Sequence, residues 1–168
     1  MKKNKIFIFA AHPDDEILGC GGTIIKLKEE SKINVVFMSD GVSSRKLSYG
    51  NLKIKIKKRK KECIDLFKKL KLEKPVFFNF PDNQMDKVPL LKIVKKVEKY
   101  LFKYKPDTVF THFENCLNID HRITFNAVIT ACRPIKGSSV KKILSFEIPS
   151  SSDWATFRKK NFQPNYFI

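Results

Sequence analysis

The chain has 168 residues and a net charge of +17. This length suits one domain with a single buried core and leaves little room for a second full domain. No apolar run is long enough to span a bilayer, and the apolar stretch after the basic N-terminus is too short for a secretory signal, so we expect a cytoplasmic protein. The four cysteines form no CxxC pair, which argues against a disulfide framework or a cysteine zinc site.

The positive charge favours a solvated surface over a nucleic-acid interface. Only five of the 34 basic residues are arginines, whereas surfaces that read bases or clamp phosphates favour the rigid donor fork of arginine. The lysines are also spread along the chain, as on a solvated surface. We therefore expect no specific nucleic-acid partner, although a basic binding module for nucleic acid or anionic glycan stays open as an alternative.

Apolar runs alternate with amphipathic segments along the chain. The runs predict five strands, at residues 5–11, 33–38, 76–80, 108–111 and 141–148. The amphipathic segments predict helices at residues 23–32, 52–72, 88–104 and about 121–132. A loose loop is predicted at the glycines before the first helix, and a polar loop over the site at residues 42–51. This alternation indicates an α/β sandwich built on a mainly parallel sheet.

Polar segments follow four of these strands at the point where each strand ends. They are residues 12–16, residues 40–45, Asp82 and residues 112–121. Because parallel sheets bind ligands beyond the carboxyl ends of their strands, we expect these segments to meet at one site.

The first of these segments reads His-Pro-Asp-Asp-Glu, directly after a buried strand. Acidic residues often begin helices because they meet the positive end of the helix dipole, which explains one or two of the carboxylates. A histidine and a carboxylate three residues apart, such as His12 and Asp15, can also converge on one metal ion. Spacing alone leaves both interpretations open, and in the second one Asp14 is available for proton transfer.

All three histidines of the chain, His12, His112 and His121, fall at the same predicted edge. A lone histidine at the start of a helix is more often a hydrogen-bonded surface residue, but this clustering favours a ligand role for His121. Together, His12, Asp15 and His121 form an open three-ligand set that leaves a position for water, as catalytic zinc requires.

Several motifs together resemble the PIG-L/LmbE-like deacetylases. They are, in chain order, AHPDDE (residues 11–16), GGT (21–23), DGVSSR (40–45), FPDN (80–83), TH (111–112), LNIDHR (117–122), ACRP (131–134) and SFEIPSS (145–151). The resemblance covers nearly the whole chain and implies a Rossmann-like three-layer sandwich, with residues 1–168 as one domain. It also implies a zinc-dependent hydrolase that removes the acetyl group from an N-acetylglucosamine-type sugar in a glycolipid or surface-glycan precursor.

Carried over residue by residue, the resemblance assigns roles to the motif side chains. The metal ligands are His12, Asp15 and His121, and the ion is Zn²⁺, with Fe²⁺ or another divalent metal as an alternative. Asp14 becomes the general base, and Asp120 orients a ligand or the base. Arg45 and Asp82 stand where family members contact the sugar, and the substrate is a small-molecule or a lipid- or nucleotide-linked amino sugar.

The chain departs from the family pattern at two places. Many members have a histidine where Asn118 stands, and an asparagine can donate a hydrogen bond but no proton at neutral pH, so His112 or a residue from elsewhere is expected to supply the acid. The chain also stops short of the C-terminal segment that family members generally have, which leaves an inactive relic open. An amide hydrolase for a thiol-sugar or another small amide is a further alternative. Cys20 and Cys116 lie near the motifs, where inert packing is the expected role.

Overall fold

The computed structural model describes residues 3–45, 48–155 and 161–168. Its five strands are β1 (Asn4–Ala10), β2 (Ser31–Ser39), β3 (Val76–Phe80), β4 (Thr108–His112) and β5 (Lys142–Phe146). Its α-helices are α1 (Asp15–Leu27), α2 (Tyr49–Lys69), α3 (Leu90–Tyr104), α4 (Ile119–Ala131) and the single turn α5 (Pro149–Ser152). Short 3₁₀ turns lie at Met85–Lys87 and Asp153–Ala155. No helix within the described ranges is long and apolar enough to cross a membrane.

The strands form one parallel sheet in the order β3-β2-β1-β4-β5. The chain moves outward from β1 to β3 on one side and then returns to β4 and β5 on the other. The order therefore reverses between β1 and β4, and such a switch point opens a crevice at the carboxyl ends of the two strands. This confirms the predicted α/β sandwich with its parallel sheet.

The side chains of β1 alternate between two apolar layers, as a strand covered on both faces requires. Phe7 and Phe9 pack into a core with α3 and α4. Ile6 and Ile8 point to the opposite face, where they pack with apolar residues of α1 and α2. Both faces of the central strand are thus buried, which makes the sheet the middle of three layers.

The predicted loose loop at the glycines is wrong, because Gly19, Gly21 and Gly22 lie inside α1, which begins at Asp15. Asp15 and Glu16 in the first turn favour this early start through the helix dipole. A β-carbon at Gly19 would lie 2.3 Å from Phe146 Cδ2 and 2.9 Å from the Glu147 carbonyl oxygen. Gly19 therefore allows α1 to approach the end of β5 closely.

Other boundaries differ from the prediction by a few residues. Helix α4 begins at Ile119 because Asn118 caps it, with Oδ1 accepting from the backbone N–H of Asp120 at 2.8 Å and of His121 at 3.4 Å. His112, predicted to begin a loop, is the last residue of β4. The predicted loop at 42–51 ends earlier, where α2 starts, and its residues 46–47 lie outside the described residues.

We predict that Gly19→Ala destabilises the fold by about 1–3 kcal/mol, because the added methyl group forces α1 away from β5. Gly22→Ala is the matched control, since nothing lies within 4 Å of its β-carbon. That change should raise stability by about 0.5–1 kcal/mol, because alanine loses less backbone entropy in a helix. Urea unfolding of both variants measures the two effects, and equal stabilisation by both would contradict the close contact at Gly19.

Candidate active site

Three donor atoms converge at the carboxyl ends of β1 and β4. His12 Nδ1 lies 3.1 Å from Asp15 Oδ2, which lies 3.2 Å from His121 Nε2. The two imidazole nitrogens, His121 Nε2 and His12 Nδ1, are 3.3 Å apart. Donors about 2.1 Å from a tetrahedral ion lie about 3.4 Å from one another. The spacing and the chemistry of this buried set therefore fit a divalent metal ion.

The outer nitrogen of His12 faces two carboxylates. Its Nε2 lies 3.2 Å from Asp82 Oδ1 and 3.3 Å from Asp120 Oδ2. A proton on Nε2 satisfies these acceptors and leaves the lone pair on Nδ1, as a metal-binding histidine needs. Burial lowers the pKa of His12, but the neighbouring carboxylates outweigh burial and raise that pKa to about 12.

Asp120 is fixed from three directions at the base of the site. Its carboxylate accepts hydrogen bonds from the backbone N–H of Asn83 at 2.7 Å and of Met85 at 3.1 Å. It is fully buried, and it holds His12 through the contact at Nε2. Asp120 is therefore held rigidly against the outer nitrogen of His12.

His121 has its own outer partner, which the sequence analysis had treated as packing. Its Nδ1 lies 3.1 Å from Cys116 Sγ. Burial lowers the pKa of His121, but contacts with Asp15 and Cys116 raise it to about 9. Burial raises the pKa of Cys116, yet the contact with His121 brings it down to about 7. No spacing rule predicts this pair, because the turn before α4 creates it.

Asp14 differs from its two acidic neighbours because its side chain is half exposed. Its Oδ2 lies 2.7 Å from Arg59 Nη2, which also donates to the Pro13 carbonyl oxygen at 2.8 Å. Asp15 and Glu16, by contrast, are 4% and 1% exposed. Arg59 belongs to the site but was missed by the sequence analysis, because it stands in the lysine-rich stretch of α2. Its signal is weak: it is the lone arginine on an otherwise lysine-rich helix.

His112 lies behind the three converging donors. It is fully buried, and its Nε2 accepts a hydrogen bond from the backbone N–H of Ala11 at 2.8 Å. Its ring stacks on His121 with centroids 3.9 Å apart. Burial and the neighbouring His121 hold the pKa of His112 well below its usual value. His112 is therefore enclosed by Ala11 and His121, and its role as the acid stays a prediction.

A cavity of about 270 Å³ opens over these side chains. Its walls include both predicted sugar contacts, Arg45 and Asp82, together with Asn118. Asn118 uses Oδ1 to cap α4, so its amide nitrogen Nδ2 remains as a donor. One Nδ2 hydrogen is directed to Asn83 Oδ1 at 3.1 Å. A larger cavity of about 550 Å³ runs along β5 but contains none of the converging donors. We therefore place the site in the smaller cavity.

The loop after β2 closes one side of this cavity. Asp40 Oδ1 accepts the backbone N–H of Val42 at 2.8 Å and of Ser43 at 2.7 Å, which stabilises a turn. Ser44 then donates its hydroxyl to Asp82 Oδ2 at 2.5 Å. Burial raises the pKa of Asp82, but hydrogen bonds from His12 and Ser44 keep it below its usual value. The turn thus joins the loop to the carboxylate that faces His12.

Comparisons with known proteins find chains of similar sequence and similar fold. The chain is 26% identical to the uncharacterized deacetylase YaiS of Escherichia coli K12, over 96% of this chain and 82% of that protein. It resembles the N,N'-diacetylchitobiose deacetylase of Pyrococcus horikoshii with a TM-score of 0.67 and 27% identity. That match covers 80% of this chain and 52% of the other, so the chain spans about half the length of the Pyrococcus protein.

A conserved protein from Thermus thermophilus shares the fold, with a TM-score of 0.71 and 22% identity over 95% of this chain and 68% of the other. The sequence model of the GlcNAc-PI de-N-acetylases, the PIG-L family, matches residues 7–132. This range is more than half of the chain and contains all three converging donors. The resemblance inferred from the motifs is thereby confirmed, and the chain belongs to the PIG-L family.

Proposed function

We propose that this protein is a metal-dependent hydrolase that removes the acetyl group from an N-acetylglucosamine-type sugar conjugate. The observation that carries the proposal is the triangle of His12 Nδ1, Asp15 Oδ2 and His121 Nε2, with edges of 3.1, 3.2 and 3.3 Å. Binding a glycan or a nucleic acid does not need this arrangement, so an enzyme is favoured over a basic binding module.

His12, Asp15 and His121 would hold the ion. Zn²⁺ suits two imidazoles and a carboxylate, and Fe²⁺ or another divalent metal suits them as well. When bound, such an ion polarises an amide carbonyl and makes water acidic enough to attack it near neutral pH. Asp15 is well prepared for this role, because contacts with His12 and His121 hold its pKa well below the usual value despite burial.

Asp14 acts as the general base. It is the exposed carboxylate beside the ligands, and it lines the cavity that a substrate must enter. Arg59 fixes its carboxylate through the contact at 2.7 Å, so little reorganisation is needed when a water approaches. Hydrolysis adds water across the amide and yields acetate and an amine, so the proton taken from water has to reach the leaving nitrogen.

The same Asp14 then returns that proton to the amine. Asn118 can donate a hydrogen bond but cannot supply a proton, and His112 is buried behind His121. One carboxylate that first accepts and then donates balances the reaction without a separate acid. Asn118 lines the cavity, where its amide group stabilises the charge that develops on the acetyl oxygen.

The family and the walls of the cavity support the proposed substrate class. YaiS and the Pyrococcus protein are named as deacetylases. Arg45 and Asp82 line the cavity and offer a donor and an acceptor to sugar hydroxyls. The net charge of +17 attracts an anionic carrier, such as a lipid- or nucleotide-linked phosphate. A thiol-sugar or another small amide is the second candidate substrate. We also propose that the enzyme acts in the cytoplasm.

The first test separates the ligand from the base. We predict that His121→Ala loses bound metal and turnover together. Asp14→Asn should keep the metal and lose turnover by about 10²–10⁴-fold, because the amide has the shape of the carboxylate but cannot accept the proton. Metal content and acetate release from a panel of N-acetylglucosamine conjugates measure both. A folded wild-type protein that takes up no metal and releases no acetate would refute the proposal.

Metal uptake is predicted to release protons at pH 7. The pKa of His12 is raised to about 12 and that of His121 to about 9, so the metal-free site carries protons that an ion must displace. The raised pKa values of the two histidines contribute to the stability of the metal-free fold. This stabilisation is complete below about pH 6.5, the pKa of an unfolded histidine, and is lost as the pH rises through the pKa values of the folded protein. Titration calorimetry in two buffers of different ionisation enthalpy counts the protons, and identical heats would contradict this expectation.

Asn118 allows its two roles to be separated. Asn118→Asp keeps an N-cap of similar strength but removes the amide donor, whereas Asn118→Ala removes both. We predict that kcat/KM falls about a hundredfold in both variants, while the free energy of unfolding falls by about 1 kcal/mol only in the alanine variant. Wild-type kcat/KM in Asn118→Asp would remove Asn118 from the mechanism.

A further inference from the structure

A chain of polar contacts leads away from the outer nitrogen of His121. Its Nδ1 lies 3.1 Å from Cys116 Sγ, which lies 3.0 Å from Ser151 Oγ. Ser151 Oγ lies 3.4 Å from the carbonyl oxygen of Ile148. The metal ligand on α4 is thus connected, through one sulfur atom, to the turn that follows β5.

The metal site sets the direction of the hydrogen bonds along this chain. When Nε2 of His121 offers its lone pair to an ion, the proton of the neutral ring resides on Nδ1. That proton is then donated to Cys116 Sγ. The thiol of Cys116 in turn donates its S–H proton to Ser151 Oγ, and the hydroxyl group of Ser151 donates to the carbonyl oxygen of Ile148. The thiol and the hydroxyl each accept once and donate once, so the direction that a metal requires leaves no donor of this chain without an acceptor.

Cys116 is held firmly in this position. Cys116 is only 1% exposed, so solvent cannot replace its sulfur as the partner of His121 Nδ1. Its backbone carbonyl accepts a hydrogen bond from Arg122 Nη1 at 2.8 Å. Leu117, the next residue, donates its backbone N–H to the carbonyl oxygen of Ser151 at 3.3 Å. Two backbone contacts therefore fix the sulfur between the helix and the turn.

We propose that Cys116 is a positioning residue for the metal site: its sulfur accepts the Nδ1 proton of His121 and so orients Nε2 toward the ion. This inference rests on the proposed function, because it presupposes that His121 binds a metal. Metal-binding histidines usually direct this second N–H to a carboxylate, a backbone carbonyl or water, and loss of such a partner costs about 10–100-fold in metal affinity. Here a thiol takes that place.

Substitution of the cysteine tests the proposal with Zn²⁺ alone as the probe. Cys116→Ala should weaken Zn²⁺ affinity about 10–100-fold, measured by competition with a chelator. Cys116→Ser should recover part of that loss, because a hydroxyl can accept from Nδ1. Cys132→Ala is the matched control: it also removes a buried thiol, but at the C-terminal end of α4, and its Zn²⁺ affinity should equal that of the wild type. Wild-type affinity in Cys116→Ala overturns the proposal.

Two further measurements distinguish positioning from other roles. The nitrogen chemical shifts of His121 in the zinc-loaded wild type should show the proton on Nδ1, and a proton on Nε2 would overturn the proposal. The cobalt-loaded wild type should lack a thiolate-to-metal charge-transfer band, and such a band would make Cys116 a ligand instead. Failure of the wild type to take up Zn²⁺ would overturn the proposed function together with this inference, whereas normal uptake with no effect of Cys116→Ala overturns the inference alone.

Discussion

The parallel pairing of β1 with β4 is the constraint on which the site depends. Ile6, Phe7 and Ile8 pair with Thr108, Val109 and Phe110, and this register sets the ends of the two strands side by side. His12 and His121, which are 109 positions apart in the chain, thereby meet with nitrogens 3.3 Å apart. A slip of the register by one residue would turn the inward-facing side chains of a strand outward and separate the donors. The buried phenylalanines and isoleucines of β1 therefore contribute to the site as well as to stability.

Several ionisable groups are buried together in this crevice, and their mutual contacts make that tolerable. An isolated carboxylate in a protein interior is costly unless it is paired and hydrogen-bonded. Asp15 is contacted by His12 and His121, and Asp120 accepts two backbone N–H groups besides its contact with His12. The imidazoles and the backbone thus neutralise the buried acids in the absence of an ion. The same contacts hold the three donors in place before any proton is displaced.

The sequence was sufficient to predict the layers and the meeting of His12, Asp15 and His121 at one edge of the sheet, because both depend on local patterns. Apolar runs identified the strands, and polar residues at their ends, among them His12 and Asp15, identified the edge where ligands bind. Arg59, Cys116 and the role of Gly19 could not be found in this way. Each depends on which elements touch in the fold: α2 with the start of α1, the turn before α4 with His121, and α1 with the end of β5.

His112 shows the limit of the same reasoning in the opposite direction. Its position at the site edge was predicted correctly, yet a residue that ends a central strand can point into the core as easily as into the crevice. The strand continues one residue further than predicted, so His112 is fully buried and accepts the N–H of Ala11. Its place against the ring of His121 fits a support for that ligand. Sequence pattern alone does not distinguish these two directions.

The three consecutive acids after Pro13 show how one short segment serves several purposes. Successive side chains at the start of a helix project about 100° apart around its axis, so adjacent residues meet different surroundings. Asp15 faces the imidazoles, whereas Glu16 points into the protein and accepts the backbone N–H of Asp14 at 3.0 Å. Burial raises the pKa of Glu16 to about 7. Asp14 alone stays exposed beside Arg59. The geometry of this segment therefore sends one carboxylate toward the imidazoles, one into the interior and one toward Arg59, so three adjacent acids have three different surroundings.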